Sequence, residues 1–221
     1  MKIDIDVPDG KSGDWSIESF TVSQKDEELG RMRALFSFSN RGRYVPAGTY
    51  KALKRNNEII MSNTPDEISD CLDFIRKARK SKNILINGLG LGVVLKAILD
   101  NEIVENVTVI EKSFDVITLV APSFANKKVT IIHADAFNWK PPKGIKYDCV
   151  WHDIWDYICA DNLEDMKKLH RKYGKRTIWQ ASWCRYECER KIDRRNNFKF
   201  QPFFSIIRKR GKIIWPYIKE S

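Results

Sequence analysis

The chain has 221 residues, enough at ~150 per domain for one full domain and a small appendage. Apolar residues make up 43% and charged residues 31%, which supplies a sizeable core and excludes disorder throughout. The formal net charge of +10 is uneven: residues 1–80 hold 14 Lys and Arg against 13 Asp and Glu, residues 81–156 hold 8 against 9, and residues 157–221 hold 17 against 7.

Met1-Lys2-Ile3-Asp4-Ile5-Asp6 has acids where a secretory signal needs an apolar run. The longest apolar stretch, Ile84 to Leu95, is broken by Asn87 and followed by Lys96, well short of the ~20 residues that cross a bilayer. These features predict a cytoplasmic protein with no membrane span. Cys71, Cys149, Cys159, Cys184 and Cys188 form no CxxC pair, so reduced thiols are expected. Cys184-x-x-x-Cys188 beside His133, His152 or His170 has a spacing open to zinc. On a helix that spacing more often marks two ordinary side chains on one face, and no metal is expected.

Residues 1–64 read as a small β-rich extension, with strand-like pieces at Trp15 to Val22 and Ala34 to Phe38 and turn signals at Asp9-Gly10 and Arg41-Gly42. Residues 65–221 differ in kind. Thr64-Pro65-Asp66-Glu67 starts a helix running from Asp66 to Lys80, with Thr64 as N-cap and acids near the positive end. Then strands and helices alternate: a strand at Lys82 to Asn87, a helix at Val93 to Leu99, a strand at Val107 to Glu111, and a short helix at Asp115 to Val120. A third strand at Val129 to His133 follows, then a fourth at Tyr147 to Asp153, a helix at Asn162 to Tyr173, and a fifth strand at Arg176 to Ala181. The early strands are continuously apolar, as in a parallel sheet covered on both faces. Apolar runs at Phe203 to Ile207 and Ile213 to Ile218 flank Arg210-Gly211 and predict a closing hairpin. The fold class is α/β, a doubly wound, mostly parallel sheet with a small β-rich N-terminal extension.

Asn87-Gly88-Leu89-Gly90-Leu91-Gly92 sits between the first parallel strand and its helix, where glycine lets a ligand approach the backbone. The dinucleotide fingerprint needs a glycine where Val93 stands, so a nucleoside is favoured over a pyrophosphate. The second strand ends in Glu111, some 21 positions after Gly90, where a carboxylate can accept both hydroxyls of a ribose. The third is followed by Asp135, placed to accept a hydrogen bond from an adenine amino group.

Ile84 to Gly92, Val107 to Glu111 and His133 to Phe137 resemble the first three motifs of class I S-adenosylmethionine-dependent methyltransferases, over about residues 65–185. The resemblance implies a Rossmann-like methyltransferase fold with S-adenosylmethionine over Gly88, Gly90 and Gly92, its ribose on Glu111 and its adenine near Asp135. Asn87, Leu89, Lys112, Ala136 and Asp153 complete the implied cofactor-binding set.

The fourth strand delivers Trp151-His152-Asp153-Ile154-Trp155-Asp156 to the same edge. Asp153 and Asp156 are the catalytic candidates, able to bind a cationic acceptor or remove its proton. His152 faces away from Asp153, because side chains alternate along a strand, and is read as bonding the backbone inside the protein. The segment also resembles the spermidine synthase branch of the fold, whose fourth strand ends in DxxD with the first acid deprotonating the attacking amine. Two tryptophans flank Asp153 where that branch has small residues. No Asn-Pro-Pro-aromatic or Asp-Pro-Pro-aromatic follows the strand and no Pro-Cys nucleophile is present, which disfavours methylation of adenine amino groups and of cytosine C5.

Trp151, Trp155, Trp179 and Trp183 come from two neighbouring strand ends and could stack on a base, cage a cation or wall the cofactor pocket. Arg185, Arg190, Lys191, Arg194 and Arg195, with Arg208, Lys209, Arg210 and Lys212, give residues 157–221 a basic character open to nucleic acid or an acidic partner. The sequence thus predicts a methyltransferase of unspecified acceptor. Aminopropyl transfer from the decarboxylated cofactor and a non-catalytic nucleic-acid-binding module are the alternatives.

Overall fold

The computed structural model describes residues 2–36 and 44–191. Two sheets organise them. The first is antiparallel, built from β1 (Gly10–Ser12), β2 (Trp15–Val22), β3 (Gly48–Arg55) and β4 (Glu58–Ser62) in that spatial order, with α1 (Gln24–Phe36) between β2 and β3. Asn56 and Asn57 join β3 to β4 with φ of 50° and 68°. Two consecutive positive φ values are what a tight hairpin needs to match the twist of its strands, and asparagine tolerates them better than most residues. Ahead of β1, Ile3, Ile5 and Val7 are buried while Asp4 and Asp6 are exposed.

The strand expected at Ala34 to Phe38 is not found: Ala34, Leu35 and Phe36 end α1. Acids at Asp26 and Glu27 in its first turn and Arg33 in its last favour the helix. Residues 37 and 38 and the Arg41-Gly42 turn lie outside the described residues. So do the hairpin expected at 203–207 and 213–218, and Arg194, Arg195, Arg208, Lys209, Arg210 and Lys212.

The helix expected from Asp66 to Lys80 is two, α2 (Pro65–Asp70) and α3 (Leu72–Ala78). At Cys71 the backbone N–H reaches the Ile68 carbonyl, three residues back rather than four, and the tightened turn redirects the chain. Thr64 holds the N-cap position but makes no side-chain cap; its hydroxyl pairs with the Ser62 hydroxyl at 3.0 Å instead.

The second sheet has five strands, all neighbours parallel: β5 (Asn83–Asn87), β6 (Asn106–Glu111), β7 (Val129–His133), β8 (Tyr147–His152) and β9 (Thr177–Ser182). Their spatial order is β7-β6-β5-β8-β9, so the winding reverses between β5 and β8. In open α/β sheets the crevice at such a reversal, outside the carboxyl ends of the strands, is where ligands bind. Three helices cross over between strands: α4 (Val93–Leu99), α5 (Phe114–Val120) and α6 (Asn162–Tyr173). α6 buries Leu163, Met166, Leu169 and Tyr173 at steps of three and four, with acids in its first turn and bases in its last. Ile84, Leu85 and Ile86 are almost wholly buried, each side chain contributing about 1.5–3 kcal/mol by leaving water.

One core serves both sheets. Ile3, Ile5, Ile17 and Leu53 from the N-terminal part pack in the same buried cluster as Phe74, Ile84, Leu95 and Trp151. The fold is mixed α/β, with a parallel five-stranded sheet flanked by helices and a small antiparallel sheet at its N-terminal side.

Candidate functional site

The carboxyl ends of β5, β6, β7 and β8 surround a cavity of about 460 Å³, a size that encloses a small organic ligand. Gly88, Leu89, Gly90, Glu111, Lys112, Asp135, Ala136, Asp153 and Asp156 line it. Asn87 and Gly92 do not. Asn87 turns to the other face of the sheet, where its Nδ2 lies 2.7 Å from His152 Nδ1. Gly92 opens α4 with φ of 73°, and a Cβ there would meet the Phe124 ring at 2.3 Å.

The space beside the other two glycines is also filled by protein. A Cβ on Gly88 would fall 1.9 Å from the Asp153 carbonyl oxygen, because the Asp153 N–H donates to the Asn87 carbonyl at 2.8 Å and draws β5 and β8 together. A Cβ on Gly90 would fall 2.3 Å from Met61 Sδ, and the Leu91 N–H donates to that sulfur at 3.1 Å. Met61 of β4 thus covers the loop from the antiparallel sheet.

Glu111 ties two strand ends together. Its carboxylate accepts the Leu89 N–H at 2.8 Å and the Ser113 N–H at 2.7 Å, which leaves lone pairs on both oxygens for hydroxyl donors. Asp135 accepts the Phe137 N–H at 2.8 Å and pairs with Lys112 Nζ at 3.0 Å. Burial acts to raise its pKa, but Lys112 and the Phe137 N–H outweigh it and hold the carboxyl below its ordinary value. Lys172 and Tyr173 of α6 fix the same loop: Lys172 Nζ donates to the Ala136 and Phe137 carbonyls at 2.8 and 2.7 Å, and the Tyr173 hydroxyl to Ala136 at 3.2 Å.

Asp153 and Asp156 differ in their surroundings. Asp156 pairs with Arg55 of β3, whose guanidinium lies 5.3 Å over the Trp15 ring. Asp153 has no cationic partner among the described residues, and burial pushes its carboxyl up to about 7; the Trp151 indole opposes the shift, while Glu67 and Asp70 add to it. Burial also raises Glu67, against the opposing Ser62 N–H and hydroxyl that donate to it at 2.6 and 2.8 Å. The Cys71 thiol lines the same cavity and is raised by burial and then by Asp153, so it stays protonated and unreactive.

His152 is buried, as the alternation of side chains predicts, but it bonds side chains rather than backbone. Asn87 Nδ2 donates to its Nδ1, and its Nε2 lies 3.2 Å from Gln180 Oε1, which fixes the neutral Nε2–H tautomer. Burial pulls its pKa down to about 3, so it does not titrate near neutrality.

Of the tryptophans singled out, Trp155 and Trp183 reach the cavity. Trp151 and Trp179 stack on Phe74 in the core, at 5.1 and 6.5 Å between ring centroids. Trp15, Arg55, Met61, Glu67 and Cys71 also line the cavity, and sequence reasoning missed them. The readable signal was Asn56-Asn57 between two apolar-containing segments, which marks the β3–β4 hairpin carrying Arg55 and Met61 to the site. Among the described residues no group of His, Cys, Asp and Glu is placed to hold a metal ion, and no helix is long and apolar enough to cross a membrane.

No protein-family model matches the chain, and no curated protein matches it. Solved structures show similar courses of the chain over about half its length. The N-methyltransferase NodS from Bradyrhizobium japonicum WM9 is 13% identical over 51% of this chain and 62% of that one, with a TM-score of 0.41. A precorrin 8W decarboxylase from Methanobacterium thermoautotrophicum is 14% identical over 50% of this chain and 56% of that one, with a TM-score of 0.37. The 23S rRNA methyltransferase ErmE is 15% identical over 50% of this chain and 44% of that one, with a TM-score of 0.39. The matched part therefore spans less than two thirds of each of these proteins, and the functional reading rests on the cavity's own residues.

Proposed function

We propose that the protein is an S-adenosylmethionine-dependent transferase, a methyltransferase acting on an acceptor that must lose a proton. The observation that carries this reading is one cavity at the winding reversal into which Glu111, Asp135 and Asp153 project from the ends of three parallel strands. The donor set fits an adenosyl sulfonium. Glu111 has free lone pairs for ribose hydroxyls, Asp135 can exchange Lys112 for an adenine amino group, and Asp153 offers an anion to a positive centre. Bound there, the sulfonium would supply an electrophilic carbon.

The chain's own work is positioning and proton transfer. The Asn87–Asp153 backbone bond and the close fit of Gly88 fix the Asp153 backbone, from which its carboxylate lines the cavity. With a pKa near 7, Asp153 is both ionised in part and basic enough to accept a proton at neutral pH. His152, neutral and on the opposite face, takes no part in that transfer. Asp156 serves as the anchor for Arg55, joining the antiparallel sheet to the loop after β8.

A second reading, aminopropyl transfer, draws support from the Asp153-x-x-Asp156 spacing and from the small antiparallel sheet that walls the cavity. Incubation with each cofactor form and the pool of candidate acceptors separates the two: adenosylhomocysteine is the expected product, and methylthioadenosine would favour the second. Asp153→Asn should keep nucleoside binding and lose transfer by at least about 100-fold. Wild-type transfer by that variant would remove the base assignment.

A further inference from the structure

Beyond Asp153 the cavity is built from parts the cofactor reading leaves unused. Two tryptophans near Asp153 in the chain or by hydrogen bonding line it. Trp155 follows Asp153 by two residues, and Trp183 follows β9, its backbone N–H donating to the carbonyl of His152, the neighbour of Asp153, at 2.9 Å. Two acids, Glu67 and Asp153, line this space; burial raises both, neighbouring carboxylates add to it (Asp66 and Asp70 for Glu67, Glu67 and Asp70 for Asp153), and neither has a cationic partner among the described residues. Asp156, by contrast, is neutralised by Arg55, itself laid on the Trp15 ring.

We propose that the acceptor is a monoamine with an apolar, aromatic body, its single ammonium between Glu67 and Asp153 and its body against Trp155 and Trp183. This rests on the transferase reading above. Two carboxylates lining one cavity disfavour each other's charge, and one cation drawn between them relieves both. Indole faces attract the same cation and offer flat apolar area to an aromatic ring. A linear diamine would need a further anion for its far ammonium, and of the other acids lining the cavity Asp156 already pairs with Arg55 and Asp165 with Lys168. An anionic acceptor would meet two like charges. In the transfer, Asp153 takes one proton from the ammonium. The freed nitrogen lone pair bonds to the transferred carbon as that carbon's bond to sulfur breaks, and the electron pair of the broken bond stays on sulfur.

The test is calorimetric titration of 2-phenylethylamine, 1,4-diaminobutane and 4-hydroxybenzoate into the full chain saturated with adenosylhomocysteine. The monoamine should bind at least about tenfold more tightly than the other two. Glu67→Gln and Trp183→Ala should each weaken it by about tenfold while leaving adenosylhomocysteine affinity unchanged, and Trp183→Phe should restore most of the loss. If Trp183→Ala fails to fold, Trp155→Leu reads the same wall. Arg55→Ala, by freeing Asp156, should shift preference toward the diamine. Equal or tighter binding of diamine or hydroxybenzoate by the wild type overturns the proposal, as does indifference of monoamine binding to both Glu67→Gln and the wall variants. If adenosylhomocysteine binds but the monoamine does not, the acceptor assignment alone fails. If adenosylhomocysteine itself does not bind, the transferase reading fails and takes this one with it.

Discussion

Gly88, Gly90 and Gly92 share a left-handed φ, yet what lies beside each differs, and so must the cost of a side chain. At Gly88 the obstacle is a backbone oxygen fixed by strand pairing, so Gly88→Ala should destabilise by more than about 3 kcal/mol. At Gly92 the obstacle is the Phe124 ring, which can tilt only within a packed core. At Gly90 it is the end of a flexible methionine, so Gly90→Ala should cost about 1–2 kcal/mol, part of it recovered in the Met61→Ala background. Denaturant titration of the series checks the order. The spacing of these glycines was legible in the sequence, but not what each packs against, because Met61 and Phe124 arrive from elsewhere in the chain. Asp153 makes a second prediction at this scale. Its pKa rises from an ordinary 3.8 to about 7 on folding, so the native state holds the proton more tightly than the unfolded chain. That contribution is present below about pH 4 and is lost as pH rises toward 7, where the buried anion costs on the order of a few kcal/mol. Asp153→Asn should therefore melt about 5 °C or more above wild type at pH 8, with the gap closing near pH 4.

Between elements, the register of β5 against β8 rests on a buried polar chain. Asn87 bonds His152, His152 bonds Gln180, and Gln180 donates to the His170 carbonyl at 2.9 Å. His152→Phe keeps the volume but strands Asn87 and Gln180, and should cost about 2–4 kcal/mol, measured by chemical unfolding. His152→Gln, which can satisfy one partner, should cost less. The parallel strands and α6 were readable because their periodicity is set locally: continuous β-branched runs, and apolar steps of three and four. α1 and the α2–α3 break were not. Ala34 to Phe36 is short and apolar and fits strand or helix alike. The turn at Cys71, where the backbone N–H reaches three residues back, has no sign in the local pattern. Likewise Thr64 is a good N-cap by type, but its hydroxyl pairs with Ser62, whose own hydroxyl donates to Glu67.

Across the whole molecule, the antiparallel sheet is a wall of the cavity and part of the same core as the parallel sheet. Ser12 Oγ donates to Asp115 of α5 at 2.6 Å, and Arg55 reaches Asp156 after β8, so the two sheets are also tied at their surfaces. Ile17→Ala, a change in the small sheet, should lower the stability of the whole chain by about 2–4 kcal/mol within a single transition, seen identically by tryptophan fluorescence and far-ultraviolet circular dichroism. Acids outnumber bases among the charged residues that line the cavity, while the chain as a whole carries a basic excess. Residues 157–191 hold nine Lys and Arg against five Asp and Glu, so the larger part of it falls in 192–221, outside the described residues.

The most direct measurement is isothermal calorimetry of adenosylhomocysteine with the wild-type chain and with Glu111→Ala and Asp135→Ala. One molecule should bind per chain, with each substitution weakening it by about tenfold or more while the fold persists by circular dichroism. No heat with the wild type, or undiminished affinity in both variants, would contradict the placement of a nucleoside between the ends of these strands.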